Sequence, residues 1–234
     1  MKTVSICGST GSIGQSACRI LAQAEYLTCQ TLIFGRNEKK AREQIALLKP
    51  SYVGCLDKET ALRIKKEFPF IKGVFYEEGL MEAAALPSDI FVSAVSGSAG
   101  TAYSFAALKG TRRLALANKE TLVMAGELFT AEASRLGVPV FPVDSEHNAL
   151  FQCLQGEDRD NVERLVLTAS GGPFRGFRPE KLARVTPAQA LKHPTWSMGK
   201  KITVDSATMA NKGLEIMEAA FLFSFPEERI EVVV

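Results

Sequence analysis

The chain lacks paired cysteines, a strong charge of either sign, long apolar runs and internal repeats, and each absence removes a class of protein. Its five cysteines, Cys7, Cys18, Cys29, Cys55 and Cys153, form an odd set without a CxxC spacing, which points away from a disulfide framework or zinc cluster and fits a reducing compartment. The 28 basic and 26 acidic residues leave a formal charge of only +2, and no basic stripe with interleaved aromatics runs along the chain, so nucleic acid is not an expected partner. No run of about 18 apolar residues is available to span a membrane, so no membrane partner is expected either. Met1 to Cys7 run straight into a strand pattern, without the apolar or Arg/Ser-rich leader of a targeting peptide, and a cytoplasmic location is expected. What the chain does have is 46% hydrophobic and 23% charged residues, a balance that can bury one or two ordinary cores and argues against disorder.

Up to Pro142 short apolar runs alternate with amphipathic ones. Thr3–Cys7, Thr31–Phe34, Tyr52–Cys55, Ile90–Ala94, Arg113–Ala117 and Val138–Phe141 read as strands; Ser12–Ala24, Glu38–Leu48, Lys58–Phe68 and Ala102–Lys109 read as helices. Such alternation specifies a parallel sheet with right-handed crossovers and helices on both faces, a doubly wound, Rossmann-type α/β domain over residues 1–143. Beyond it the pattern changes to Gly- and Pro-rich loops around a strand at Arg164–Thr168, so a second, α+β domain is expected over residues 144–234. A last helix is expected from Ala207 to Phe223, before Pro226 and a strand from Arg229 to Val234. An apolar strand ending at the last residue reads as a truncated chain.

Gly8-Ser9-Thr10-Gly11-Ser12-Ile13-Gly14 follows the first strand and opens the first helix, the context that a dinucleotide-binding turn requires. Glycines allow the tight turn and let a pyrophosphate approach the positive end of the helix. The spacing is GxxGxxG rather than GxGxxG, and a plain Gly/Ser turn is the competing reading. An acid at the end of the second strand would bind a ribose 2′-hydroxyl. Here the strand ends Phe34-Gly35-Arg36-Asn37, so Arg36 offers a bidentate partner to a 2′-phosphate and NADPH is favoured over NADH, unless Arg36 only caps the following turn. Ser93 to Gly100 closes another strand with small residues, which suits either backbone approach by the nicotinamide half or packing.

Asp144-Ser145-Glu146 follows the last strand of the first domain. In extended backbone its two carboxylates share a face and offer hard oxygen ligands to Mg²⁺ or Mn²⁺, although Asp144 or Ser145 could instead cap a helix beginning near Asn148. A third carboxylate appears in the stretch Val204 to Glu215, where Ser206 is placed to cap a helix that projects Asn211 and Glu215 on one face beside Lys212. Convergent polar groups near a helix N-terminus suit a phosphosugar, and a surface helix rich in i,i+4 pairs is the alternative. Ser170-Gly171-Gly172 offers a hydroxyl and backbone N–H groups to phosphate, or is a plain turn. The loop His193 to Gly199 holds one of two histidines and the only tryptophan. Trp196 and Met198 could form an apolar flap that excludes water from hydride transfer, or ordinary core.

Together the motifs GSTGSIG, GRN, LANKET, PVDSEHNA, TASGGPF and HPTWSMGKKITVDSATMANKGLE, in this order along the whole chain, resemble the 1-deoxy-D-xylulose 5-phosphate reductoisomerase family. The resemblance implies that Asp144, Glu146 and Glu215 bind the divalent metal, Mn²⁺ or Mg²⁺ with Co²⁺ as a third candidate, and that Ser145 contacts substrate. It implies that Ser170, His193, Ser206, Asn211 and Lys212 surround the substrate's phosphate and hydroxyls, with Trp196 and Met198 in a flap. Thr10, Gly11, Ser12, Ile13, Gly35, Arg36, Asn37, Asn118, Lys119 and Glu120 match cofactor contacts, and Lys119 also belongs with the catalytic and substrate-binding group. The implied chemistry is rearrangement of a metal-chelated sugar phosphate to an aldehyde, then reduction by NADPH to 2-C-methylerythritol 4-phosphate, in a homodimer of the non-mevalonate isoprenoid route. Members of the family continue into a C-terminal helical domain, which is absent here.

Two other classes compete. A semialdehyde or homoserine dehydrogenase would share the cofactor half without needing three carboxylates, and for a semialdehyde enzyme Cys153 is the only available nucleophile, with nothing around it to activate it. A non-catalytic NADPH-binding fragment is the third reading.

Overall fold

Strand β1 (Lys2–Cys7) carries four successive buried residues at its end, as a strand covered on both faces must. The computed structural model describes residues 1–192 and 199–234. The chain divides into two compact units, Met1–Asp144 and Ser145–Val234.

In the first unit β1 leads through α1 (Ser12–Gln23) to β2 (Leu27–Phe34), α2 (Glu38–Leu48), β3 (Tyr52–Cys55), α3 (Lys58–Glu67), β4 (Gly73–Tyr76) and α4 (Gly79–Ala85). It continues through β5 (Ile90–Ser93), α5 (Ala99–Leu108), β6 (Leu114–Leu116), α6 (Lys119–Arg135) and β7 (Val140–Pro142). All seven strands are parallel, in the order β4-β3-β2-β1-β5-β6-β7. The connections run outward from β1 on one side and from β5 on the other, so the order reverses between these two central strands, where doubly wound folds bind ligands. One core of this unit packs Ile6, Leu32, Phe34, Ile45, Val53 and Ile64 between sheet and helices.

The doubly wound reading holds, with adjustments. Strand β4 and helix α4 were not anticipated; β4 is an edge strand with no fully buried residue, so its apolar signal is weak. Strand β2 begins four residues before the expected Thr31, because its first residues pair with Lys2–Val4 before a register shift between Val4 and Ser5. All five cysteines are free, and burial pushes up the thiols of Cys7 and Cys29, and those of Cys18 and Cys55 to about 11, so these four act as small apolar core residues.

The second unit contains α7 (Ser145–Cys153), β8 (Leu165–Thr168), the one-turn helices α8 (Pro179–Leu182) and α9 (Pro187–Ala190), α10 (Lys200–Ala207), α11 (Ala210–Phe223) and β9 (Ile230–Val233). Strands β8 and β9 pair in parallel, and Leu165, Leu167 and Ile230 pack with Ala219, Phe223 and Phe225 as the core. Two expectations fail here. The backbone from Asp144 to Glu146 is not extended, since α7 begins at Ser145, ahead of the expected Asn148. The helix expected from Ala207 to Phe223 is present as α11 but starts three residues later, at Ala210, and the unanticipated α10 precedes it; the two meet where Met209 adopts a left-handed φ of 62°. At the break the Thr208 hydroxyl donates to the carbonyls of Val204 and Asp205, at 3.3 and 3.1 Å, giving the chain an alternative to continued helix. Ser206 therefore lies in the last turn of α10 and caps nothing. No helix among the described residues is long and apolar enough to cross a membrane.

Candidate functional site

In the first unit the singled-out residues collect at the C-terminal ends of β1, β2, β5 and β6. Gly8 has φ +86°, and a Cβ there would lie 2.6 Å from the Ala94 carbonyl oxygen, so this turn requires glycine twice over. A Cβ on Gly14 would lie 2.2 Å from the Gly8 oxygen, which is how closely α1 presses on the turn. Gln44 donates to the Ser9 carbonyl at 2.7 Å and Gln15 to the Thr10 carbonyl at 3.0 Å, fixing the turn from two helices. Gly11, Ser12 and Ile13 are exposed, and α1 starts without a side-chain cap, which leaves its first amides to an anion.

At the end of β2 the capping residue is Asn37, whose side chain accepts from the Lys40 amide at 3.1 Å. Arg36 is exposed and, among the described residues, its side chain has no ion-pair partner. The turn thus has its cap in Asn37, and Arg36 does not supply it.

The family resemblance implies Asn118 as a cofactor contact; the residue is 1% exposed and its side chain is hydrogen-bonded within the unit. Its amide nitrogen donates to the Val95 and Gly97 carbonyls at 2.8 and 2.9 Å, and its oxygen accepts from Thr121 at 2.5 Å. The Thr121 hydroxyl lies 3.2 Å from that of Ser104, which in turn lies 2.7 Å from the Ser93 hydroxyl. This polar chain ties the ends of β5 and β6 together and shapes the loop that Gly97 turns. Ser104 and Thr121 were not singled out in advance, and Ser93 only as the start of the small-residue run; the local hint is the Asn-x-x-Thr spacing of Asn118 and Thr121. Lys119 forms a nearly buried ion pair with Asp144, Nζ to Oδ2 at 2.8 Å, also unforeseen.

In the second unit the helices gather the polar set. The first turn of α7 presents Ser145, Glu146 and His147, with the Ser145 hydroxyl donating to Glu146 at 2.6 Å. From α11 the Lys212 ammonium donates to Glu215, to the Thr168 carbonyl at 2.6 Å, and to Glu146 at 3.3 Å. Asn211 also donates to Glu215, so the expected i,i+4 pairing on this helix is present. A carboxylate oxygen of Glu146 and one of Glu215 lie within 4.8 Å of each other, a hard donor pair held against a cation. Behind them His147, fully buried, places Nε2 2.8 Å from the Glu215 carbonyl, which can only accept, so Nε2 carries the proton. Its Nδ1 lies 3.6 Å from Glu218, and its ring stacks on Phe223. Neither His147 nor Glu218 was singled out from sequence. A Cβ on Gly172 would lie 2.6 Å from the Ser206 carbonyl oxygen, which brings the Ser170–Gly172 turn against the end of α10. The Gly172 amide donates to the Ser170 hydroxyl at 3.2 Å. His193, Trp196 and Met198 lie outside the described residues.

Both units match known sequence families. Residues 4–126 match the family model of 1-deoxy-D-xylulose 5-phosphate reductoisomerase, and residues 140–223 that of its C-terminal domain. The chain belongs to this family. Over its whole length it is 49% identical to the 1-deoxy-D-xylulose 5-phosphate reductoisomerase of Geobacillus kaustophilus and 47% identical to that of Bacillus subtilis, covering 62% of each. It thus spans about three fifths of the length of the curated relatives it matches. Two solved structures are similar over 99% of the chain and 60% of their own length. One is a DOX-P reductoisomerase in complex with NADPH, fosmidomycin and magnesium (TM-score 0.91, 34% identity); the other is the Zymomonas mobilis reductoisomerase with NADPH (TM-score 0.90, 38% identity). Both solved structures share the α/β fold described above.

Proposed function

We propose that this chain is the cofactor-binding and catalytic part of an NADPH- and divalent-metal-dependent reductoisomerase that converts 1-deoxy-D-xylulose 5-phosphate to 2-C-methylerythritol 4-phosphate. The observation that carries the reading is the gathering of Glu146, Lys212, Glu215 and Asn211 in a chain whose two units both match the family. Dehydrogenases that share only the cofactor half need no such cluster.

Both absent groups suit the residues present. For the dinucleotide, the Gly8–Gly14 turn leaves uncapped amides at the start of α1, and Arg36, with no ion-pair partner among the described residues, can take a 2′-phosphate. For the metal, Glu146 and Glu215 offer hard oxygen donors suited to Mg²⁺ or Mn²⁺, and the family resemblance adds Asp144 to the ligand set. When bound, the cation polarises the substrate's carbonyl and hydroxyl oxygens and NADPH supplies hydride. Lys212, nearly buried beside the carboxylates, can bind a substrate oxygen more strongly there than in water. Ser170, Ser206 and Asn211 supply neutral donors for the phosphate, and His147 and Glu218 hold α11 in place behind Glu215. Lys119 orients Asp144 through their ion pair. His193, Trp196 and Met198 are assigned to substrate contact and flap on the family resemblance alone.

The test is NADPH oxidation with 1-deoxy-D-xylulose 5-phosphate and Mn²⁺, with the product identified by mass spectrometry, in this chain and in a form extended to the length of its relatives. Substrate-independent oxidation only, in the extended form, refutes the reading. A homodimer and a cytoplasmic location complete the proposal, the first being open to light scattering.

A further inference from the structure

We propose that Arg42 and Arg63 secure the preference for NADPH by holding the carboxylate of Glu38 away from Arg36. This rests on the reading of Arg36 as the 2′-phosphate partner. The difficulty it resolves is plain in the sequence: Arg36 is followed two residues later by Glu38, the first residue of α2. A loose carboxylate there would do two unwanted things. It would pair with Arg36 and occupy the guanidinium, and it would place negative charge where a dinucleotide-binding fold selects the 2′-hydroxyl of NADH and repels a 2′-phosphate.

The structure removes both effects. Glu38 Oε1 accepts from Arg42, Nε at 3.2 Å and Nη2 at 2.7 Å, and from Arg63 Nε at 3.1 Å. Oε2 accepts from Arg63 Nη2 at 2.7 Å and from the Thr60 hydroxyl at 3.4 Å. Both oxygens are therefore engaged by two guanidinium forks, and Arg36, so close in sequence, has no ion-pair partner among the described residues. Arg42 also pairs with Glu67, and Arg63 is 3.9 Å from the exposed Glu59, so the two arginines bridge the outer faces of α2 and α3. Asp57 is turned to its own task, accepting from the Thr60 amide at 2.6 Å as the cap of α3. The pair of arginines holds the Glu38 carboxyl well below its usual range, at about 2, so it stays charged and bound across the working pH range. Arg63 comes from 25 residues downstream on another helix, which makes it a positioning residue that no local motif would reveal.

The experiment measures dissociation constants of NADPH and NADH for the full chain by cofactor fluorescence, with no turnover needed. Arg63→Gln is expected to lower the NADPH-to-NADH affinity ratio by about 5- to 10-fold, the scale of one freed charge near a partly exposed anion site. Arg63→Gln combined with Glu38→Gln is expected to restore the ratio, and Glu38→Gln alone to keep it at or above the unaltered value. Should the Gln variant fail to fold, as judged by circular dichroism, Arg63→Lys serves, with an intermediate ratio expected. A ratio unchanged within twofold in Arg63→Gln or Arg63→Lys overturns the proposal, as does a double variant that stays low, because then the loss comes from the missing arginine and not from the freed carboxylate. Equal affinity for the two cofactors in the unaltered chain is a different result: it removes the reading of Arg36 and the proposal with it.

Discussion

The first unit offers a ligand mainly backbone, at the open end of a parallel sheet, whereas the second offers side chains that helices bring together. Around Gly8–Gly14 the decisive features are a left-handed φ, two contacts that exclude a Cβ, and exposed amides at the start of α1. Around Lys212 they are a buried glutamate, an ammonium shared by two carboxylates, and a histidine packed behind. A backbone site tolerates exposure because water can satisfy it until a ligand arrives. A cluster of charges away from water must be paired at all times, so its members hold one another in place.

The contrast is broken most severely at Glu215. Glu215→Gln in a full-length form should lower turnover by about a thousandfold or more, the scale of losing a ligand for a cation that stabilises developing charge, and leave the NADPH dissociation constant within about twofold. Steady-state kinetics beside a fluorescence titration check this, and a parallel loss of cofactor affinity would show that the two units do not divide the work. Next is His147→Ala, which leaves Glu218 buried without its imidazole. A cost of about 2–5 kcal/mol is expected, from the cavity left by a fully buried ring and the lost hydrogen bond to the Glu215 carbonyl. Hydrogen exchange should then quicken in α7 and α11 while β1 and β2 keep their protection.

Gly14→Ala sharpens the other side of the comparison. Its new methyl meets backbone, not a flexible side chain, so α1 or the turn must shift, at about 1–3 kcal/mol. NADPH affinity should fall, while Mn²⁺ binding measured by calorimetry should not. The smallest effect concerns Glu38, whose carboxyl is lowered from 4.5 to about 2 chiefly by hydrogen bonds from Arg63 and Arg42. A depressed folded value means that the contribution to stability is complete above pH 4.5 and is lost as pH falls through about 2. With a quarter of the side chain exposed, solvent screening reduces that contribution to about 1 kcal/mol. Denaturant titrations of the unaltered chain and Glu38→Gln should differ by that amount at neutral pH and converge near pH 2; a constant difference would mean that the arginines do not act through the charge of Glu38.

Much of the first unit is legible in the sequence because its signals are local. The alternation of apolar runs, the glycine turn after β1 and the missing acid after β2 each depend on a few consecutive residues, and they led directly to the doubly wound sheet and to Gly11, Ser12, Ile13 and Arg36. Strand β4 and helix α4 escaped because an edge strand and a short helix carry little periodicity. In the second unit the residues Glu146, Asn211, Lys212 and Glu215 were recognisable, but the backbone that carries them was read wrongly. Asp144 to Glu146 looked extended, α10 was not anticipated and Ser206 looked like the cap of α11, because nothing in a one-dimensional pattern announces that Thr208 will return hydrogen bonds to Val204 and Asp205 or that Met209 will turn left-handed.

By itself the sequence determined which residues can do chemistry and which segments favour strand or helix, since side-chain type and local propensity are properties of neighbours along the chain. Only the tertiary structure decided what those residues are spent on. Asn118 ties β5 to β6, Lys119 holds Asp144, His147 backs Glu215, and Arg63 reaches across 25 residues to restrain Glu38. Each of these depends on which groups meet after the chain has folded, when desolvation favours a partner for a buried polar atom wherever in the sequence that partner lies.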